Sequence, residues 1–191
     1  MEAFWWSTAV VALGEMGDKT QLLALILAAR YRRPWPIVGG IALATLANHA
    51  MAASLGHWVA QWLGATLLRW VVGLGFVAMA AWMLVPDRVE AHEADRVRGL
   101  NVFTTTLIAF FLAEMGDKTQ LATVALAARH PELIAVVLGT TFGLMLANVP
   151  VVFVGDRLLR RVPMPWLHAL AAGLFALMGV LALFNVGGVM G

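Results

Sequence analysis

The sequence has no cysteine and few charged side chains. Of its 191 residues, 13% are charged, about half the share found in ordinary soluble domains. The absence of cysteine excludes a disulfide framework, a thiolate metal site and a cysteine nucleophile. Apolar residues are abundant instead, because 61% of the chain is hydrophobic and the mean hydropathy is +0.83. This balance excludes a soluble globular domain and predicts an integral membrane protein.

The apolar residues form runs of about 20 residues separated by short polar breaks, the length that a membrane-crossing helix needs. We predict an all-α membrane protein with six such spans, at about residues 5–29, 36–62, 66–85, 101–128, 132–154 and 166–186. All eight tryptophans lie near predicted span ends, where the amphipathic indole favours the membrane interface. The whole chain, residues 1–191, is therefore expected to form a single membrane domain.

Arginine is distributed unevenly between the two ends of these spans. Nine arginines lie in the breaks after spans one, three and five: Arg30, Arg32, Arg33, Arg88, Arg96, Arg98, Arg157, Arg160 and Arg161. The other side has two, Arg69 and Arg129. Because cytoplasmic loops are enriched in basic residues, this asymmetry predicts a plasma-membrane protein with both termini outside and the 87–98 loop in the cytoplasm. The net charge of +2 comes from these breaks and not from a basic stripe, so no nucleic-acid partner is expected.

The second half of the chain repeats the first. Residues 15–30 and 114–129 are identical at 12 of 16 positions, and both contain the segment Glu-Met-Gly-Asp-Lys-Thr-Gln. We place repeat one at about 1–86, a cytoplasmic linker at about 87–100 and repeat two at about 101–191, with three spans in each repeat. Because three is odd, the second copy enters the bilayer from the opposite side, which predicts inverted repeats, an architecture typical of alternating-access transporters.

The repeated segment carries charged residues deep into the membrane. Its acids and lysine occur twice, as Glu15, Asp18, Lys19, Glu114, Asp117 and Lys118. Each lies ten or more residues from the ends of its predicted span, roughly 15 Å at 1.5 Å per residue. A charge at that depth costs about 2.5–3.5 kcal/mol on insertion scales, so its presence indicates a function. Residues three and four apart share a helical face, so the acids and lysine of each copy are expected to project together. Gly17 and Gly116 allow either close helix crossing or a local helix break.

Across the pseudo-twofold axis, the two copies would form a metal site of four carboxylates, those of Glu15, Asp18, Glu114 and Asp117. Supporting candidates are Lys19, Thr20, Gln21, Lys118, Thr119, Gln120, Asn48 and Asn148. An all-oxygen site suits a hard divalent cation such as Mn²⁺ or Ca²⁺. Four acids and two lysines carry a net charge of −2, which one divalent ion neutralises, and close carboxylates without a metal would take up protons. Metal and protons would then compete for one site, which is the physical basis of cation/proton exchange.

A six-span chain of about 190 residues with Glu-x-Gly-Asp-(Lys/Arg)-(Thr/Ser) in its first and fourth spans resembles the Golgi-type calcium/manganese:proton antiporter family, which includes bacterial manganese exporters. The resemblance covers the whole chain, and both copies of the motif match. It implies cation binding by Glu15, Asp18, Glu114 and Asp117, with no catalytic residue and no resident cofactor. It also implies a metal cation substrate, Mn²⁺ or Ca²⁺, that leaves the cytoplasm in exchange for protons across the lipid membrane.

Two other functions are compatible with parts of the motif. An intramembrane aspartyl protease would use Asp18 and Asp117, each preceded by glycine, as an acid pair, but the Lys and Glu near each Asp argue against it. A small-solute exporter would hold a substrate carboxylate with the motif lysines, but four acids against two lysines disfavour an anionic ligand. The 87–98 loop could bind metal through Glu90, His92, Glu93 and Asp95, but its composition favours a solvated linker.

Overall fold

A computed structural model describes residues 1–85, 100–155 and 164–185. In these residues the chain forms eight α-helices and no β-strand, which confirms the predicted all-α class. The helices are α1 (Glu2–Glu15), α2 (Lys19–Tyr31), α3 (Pro34–Trp62), α4 (Ala65–Met83), α5 (Val102–Glu114), α6 (Lys118–Arg129), α7 (Leu133–Val154) and α8 (Met164–Leu183). Outside the described residues lie the 87–98 loop and Arg88, Arg96, Arg98, Arg157, Arg160 and Arg161.

The surface of the bundle is that of a membrane protein. Helices α3, α4 and α7, with 29, 19 and 22 residues, are long and apolar enough to cross a bilayer. Large apolar side chains are exposed over the described surface, and all eight tryptophans are among them. Exposure of so many large apolar side chains is unusual for a water-soluble monomer and typical of a membrane protein.

The first and fourth predicted spans are each interrupted, which is the local helix break that the sequence left open at Gly17 and Gly116. Residues 16–18 separate α1 from α2, and residues 115–117 separate α5 from α6. Helices α1 and α5 have 14 and 13 residues. At 1.5 Å per residue each is about 20 Å long, too short to cross a hydrocarbon core of about 30 Å. Both breaks fall within the repeated segment.

The two halves of the chain pack through reciprocal contacts. Helix α1 packs against α7, and α5, which corresponds to α1 in the second half, packs against α3. A Cβ added at Gly139 of α7 would lie 2.5 Å from the Phe4 carbonyl oxygen, and one at Gly40 of α3 would lie 2.9 Å from that of Phe103. Position 139 is 99 residues after position 40, and position 103 is 99 residues after position 4. The two contacts are therefore equivalent in the two repeats. Glycine therefore allows the same close backbone approach in both halves.

Helices α4 and α8, which end the two halves, pack against each other. The rings of Phe76 and Phe175 face each other with centroids 6.1 Å apart. A Cβ added at Gly179 would lie 2.9 Å from the Gly73 carbonyl oxygen, so these helices also approach closely. Helix α3 contacts α5, α6 and α7 and brings the central part of the first half against the second half.

Candidate metal site

Residues 15–18 form a type II β-turn between α1 and α2. Met16 has φ −67° and ψ 115°, and Gly17 has φ 84°. The Asp18 N–H donates to the Glu15 carbonyl oxygen at 3.1 Å. A type II turn needs positive φ at its third residue, which glycine adopts without steric cost. The turn therefore explains why a glycine directly precedes the motif aspartate.

Residues 114–117 form the same turn between α5 and α6. Met115 has φ −64° and ψ 120°, Gly116 has φ 76°, and the Asp117 N–H donates to the Glu114 carbonyl oxygen at 3.2 Å. In both copies the glutamate ends one helix and the aspartate is the N-cap of the next. The acids and lysine of one copy thus do not share a continuous helical face, contrary to the sequence-based expectation, because the helix stops between them.

A glutamine in the second helix holds each turn in place. The Gly17 N–H donates to Gln21 Oε1 at 2.9 Å, and the Gly116 N–H donates to Gln120 Oε1 at 2.6 Å. Gln21 Nε2 also donates to the Ala147 carbonyl oxygen of α7 at 2.8 Å. The sequence suggested both glutamines as supporting residues of the site, and in the structure their oxygens bind the backbone of the turns.

The turns bring acids from both copies into one cluster. Glu15, Glu114 and Asp117 each offer a carboxylate oxygen, and these oxygens all lie within 4.8 Å of one another. Glu15 and Glu114 are completely buried, and Asp117 is 4% exposed. Asp18 is also buried but is not part of this group. The structure therefore gathers three of the four predicted carboxylates.

Both glutamates of the cluster are oriented by threonines of the motif. The Thr20 hydroxyl donates to Glu15 Oε2 at 2.6 Å, and the Thr119 hydroxyl donates to Glu114 Oε2 at 3.2 Å. Both threonines are buried, and each lies five residues after its glutamate, across the turn. Hydrogen bonds of this kind fix the orientation of a metal-binding carboxylate.

A free oxygen remains on each carboxylate of the cluster. Among the described residues, no hydrogen-bond partner contacts Glu15 Oε1, Glu114 Oε1 or Asp117 Oδ2. Buried carboxylates are normally paired or coordinated to a metal, because an uncompensated charge in a low dielectric is costly. The cluster therefore presents three buried oxygens suited to a cation.

Lys19 connects the two copies of the motif. Its Nζ lies 3.2 Å from Asp117 Oδ1, so the first residue of α2 pairs with the N-cap residue of α6. Lys118, which corresponds to Lys19 in the second copy, donates instead to the Val85 carbonyl oxygen at 3.3 Å. Two copies with identical motif residues thus make different contacts.

Further buried polar atoms lie on α3 and α7. Asn48 Nδ2 donates to the Phe111 carbonyl oxygen at 3.0 Å, and Asn148 Nδ2 donates to that of Leu144 at 3.2 Å. The Oδ1 atoms of both asparagines, and both ring nitrogens of the buried His49, have no partner within the described part of the chain. Buried polar atoms of this kind are rare and are usually satisfied by water or an ion. Helices α3 and α7 therefore place further polar side chains in the interior of the bundle.

Sequence reasoning missed two backbone groups at the motif. They are the carbonyl oxygens of Ala147 and Val85, which accept hydrogen bonds from Gln21 and Lys118. A carbonyl group leaves no trace in residue type. The sequence draws attention only to Ala147, because this residue belongs to a tripeptide, Leu-Ala-Asn, that occurs in both halves of the chain, at 46–48 and at 146–148.

Comparison with known proteins identifies the family. The family model described as divalent cation/proton antiporter GDT1 matches residues 3–91 and 102–188, which include both copies of the motif. This chain belongs to the GDT1 family of divalent cation/proton antiporters. The GDT1 chain is therefore a membrane transporter and not an enzyme, and its substrate is a metal cation.

Relatives of this GDT1 protein occur in bacteria and plants. A protein of Vibrio cholerae serotype O1 named "Putative manganese exporter" is 49% identical over 179 residues, which cover 93% of this chain and 88% of that protein. A GDT1-like protein of Synechocystis sp. is 28% identical over 148 residues, 68% of this chain and 72% of the relative. GDT1-like protein 5 of Oryza sativa subsp. japonica is 28% identical over 222 residues, which cover 94% of this chain and 93% of that protein. No solved structure matches the chain significantly. The family match and the Vibrio relative confirm the resemblance inferred from the motif.

Proposed function

We propose that this GDT1 antiporter exports Mn²⁺ from the cytoplasm in exchange for protons. The observation that carries the proposal is the convergence of Glu15, Glu114 and Asp117, each with a buried oxygen that no described residue binds. The name of the Vibrio cholerae relative supports manganese and export, and the family supports proton exchange. Ca²⁺ is the second cation that such oxygen ligands accept.

The spacing of the cluster suits one hard cation. Ligands on opposite sides of an ion are separated by about twice the metal–oxygen distance, roughly 4–5 Å for Mg²⁺ or Ca²⁺. The carboxylate oxygens of Glu15, Glu114 and Asp117 lie within 4.8 Å of one another, so all three can reach one ion. The cluster contains neither His nor Cys, the ligands that favour Zn²⁺ or Cu⁺. We assign cation binding to these three acids, oriented by Thr20 and Thr119.

The charge of the cluster explains why metal and protons exclude each other. Three ionised carboxylates and the Lys19 ammonium leave a net charge of −2. Two unit charges at 4.8 Å, the upper limit of the oxygen separations in the cluster, repel each other by about 3 kcal/mol at an effective dielectric constant of 20. Either one divalent cation or protons relieve this repulsion, and the two compete because they bind the same carboxylate oxygens. A carrier of this kind returns protonated after it has released its metal.

We further propose that the chain crosses the membrane six times as two inverted three-span repeats. In this arrangement α1–α2 and α5–α6 are discontinuous spans, and discontinuous helices commonly form the substrate site of inverted-repeat transporters. The reciprocal contacts of Gly40 and Gly139 support the pseudo-twofold relation. The arginine asymmetry of the sequence supports outside termini and a cytoplasmic 87–98 loop.

Asp18 has a place in this cycle. Inverted repeats exchange their environments when the site opens to the other side of the membrane. Asp18 is the sequence equivalent of Asp117, and it lies outside the cluster in the present structure. We assign Asp18 to the opposite-facing state, where it would replace Asp117 beside the two glutamates.

The aspartyl protease alternative finds no support in the geometry. Such an enzyme needs two aspartates that share a proton. Here Asp117 clusters with two glutamates, and Asp18 is not part of the group. The net negative charge of the cluster likewise opposes an exporter of small anionic solutes.

The proposal is tested by reconstituting the protein in liposomes with a metal-sensitive dye inside and a pH probe outside. We expect Mn²⁺ entry coupled to proton movement in the opposite direction. Glu15→Gln and Glu114→Gln should abolish both fluxes in folded protein. Glu132→Gln, at an exposed glutamate before α7, is the matched control and should transport as the wild type does. If Mn²⁺ and Ca²⁺ both fail to cross, or cross without opposing protons, the proposed function is wrong.

A further inference from the structure

A positively charged side chain contacts one acid of the candidate metal site. Lys19 Nζ lies 3.2 Å from Asp117 Oδ1, and the lysine side chain is 26% exposed whereas the aspartate is 4% exposed. The lysine thus reaches from a less buried position to an acid of the cluster. The other oxygen of Asp117 has no hydrogen-bond partner among the described residues.

An ammonium group and a divalent cation compete for the same carboxylate, because both are held by its negative charge. A cation bound by Asp117 while Lys19 stays in contact would lie beside a second positive charge in a poorly screened environment. Cation binding is therefore favoured when the ammonium moves away. The partial exposure of Lys19 provides a route for that movement.

The second copy of the motif shows that this contact does not follow from the motif alone. Lys118 has the same sequence neighbours as Lys19 but donates to the Val85 carbonyl oxygen. Asp18, the counterpart of Asp117, lies outside the carboxylate cluster. The contact between a lysine and the cluster thus depends on the arrangement of the two halves.

We propose that Lys19 is a tethered competitor of the transported cation, whose ammonium holds Asp117 in the empty site and leaves it when the cation binds. This role rests on the proposed function. It lowers the affinity for the cation and so favours release, and it compensates part of the cluster's charge in the empty carrier. Lys19 is a positioning residue in this scheme, since it acts through Asp117.

The test is a titration of purified, folded protein with Mn²⁺, in which free Mn²⁺ is followed by electron paramagnetic resonance. Lys19→Met should bind Mn²⁺ at least about tenfold more tightly, since close charge pairs commonly couple by that much or more. Its turnover in liposomes should fall because release is slower. Lys19→Arg keeps the charge and should retain nearly wild-type affinity. Arg33→Met removes a positive charge at an exposed position before α3, outside the motif, and is the matched control that should leave the affinity of this site nearly unchanged.

A double substitution and a labelling experiment test the role of Lys19 without relying on the Lys19→Met variant alone. On an Asp117→Asn background, Lys19→Met should no longer tighten Mn²⁺ binding. In the wild type, saturating Mn²⁺ should increase the labelling of Lys19 by an amine-reactive ester several-fold relative to Lys118, as measured by mass spectrometry. Unchanged labelling, or equal or weaker Mn²⁺ binding by folded Lys19→Met, would overturn the role of Lys19. The proposed function would survive that result if the wild type exchanges Mn²⁺ for protons, and would fail only if it does not.

Discussion

Replacing Gly116 with alanine tests the turn that builds the site. Gly116 has φ 76°, and no heavy atom of the described residues lies within 4 Å of an added Cβ. What remains is the strain of an L-residue in the left-handed region, about 1–2 kcal/mol. Gly173 has equally open surroundings but lies inside α8, so alanine there should stabilise by about 0.5–1 kcal/mol. The two glycines therefore differ in backbone conformation. We predict that alanine lowers the stability of the fold at position 116 and raises it at position 173.

The assay is thermal unfolding in detergent, followed by tryptophan fluorescence. At about 2–4 °C per kcal/mol for a chain of this size, Gly116→Ala should lower Tm by about 2–8 °C. Gly173→Ala should raise Tm by about 1–4 °C. Gly116→Asn should cost less than Gly116→Ala, because asparagine tolerates positive φ. A Tm of Gly116→Ala at or above that of the wild type would refute the type II turn.

Three further predictions follow from single contacts. Gly139→Ala should destabilise the fold more than Gly116→Ala, because its Cβ would lie 2.5 Å from the Phe4 carbonyl oxygen; an unchanged Tm would contradict this packing. Thr20→Val removes the hydrogen bond to Glu15 and should weaken Mn²⁺ binding about 10–100-fold in a titration, while the protein stays folded. Burial, and then Arg129, lower the pKa of His130, so its neutral form stabilises the fold at neutral pH. That contribution is lost as the pH falls below about 6.5. The Tm of the wild type should therefore fall more on acidification than the Tm of His130→Gln. Equal decreases of Tm in the two proteins would contradict this role of His130.

The sequence was sufficient to predict the helices outside the motif. Long apolar runs bounded by polar breaks gave spans at 36–62, 66–85 and 132–154, and the structure has α3, α4 and α7 at nearly these positions. Proline and arginine at the link between α2 and α3 mark a helix end correctly, since Arg32 adopts φ 52° and Pro34 begins α3. These signals are local and do not depend on how the helices pack.

The breaks within the motif could not be fixed from the sequence. Gly17 was compatible with a close helix crossing as well as with a turn, and the apolar residues on both sides favour a continuous helix. Only the fold shows that the glycine has positive φ and that Gln21 accepts the hydrogen bond of its N–H. Tertiary contacts, such as that of Gln21 with Ala147, help to hold the turn and have no local signature.

The difference between the two copies was equally hidden. Glu-Met-Gly-Asp-Lys-Thr-Gln is the same in both, so a symmetric site of four carboxylates was the natural expectation. In the structure Asp117 joins the cluster and Asp18 does not. Identical residues can differ only through their surroundings, and these depend on how the two halves are packed.

Anomalous scattering can locate the divalent cation that we propose to bind between the two helix breaks. Crystals equilibrated with Mn²⁺ should show one strong anomalous peak at the manganese edge. We expect this peak within about 2.0–2.6 Å of oxygens of Glu15, Glu114 and Asp117, with Lys19 displaced from the aspartate. A crystal that shows no peak at these three carboxylates, with manganese bound elsewhere on the chain, would contradict it.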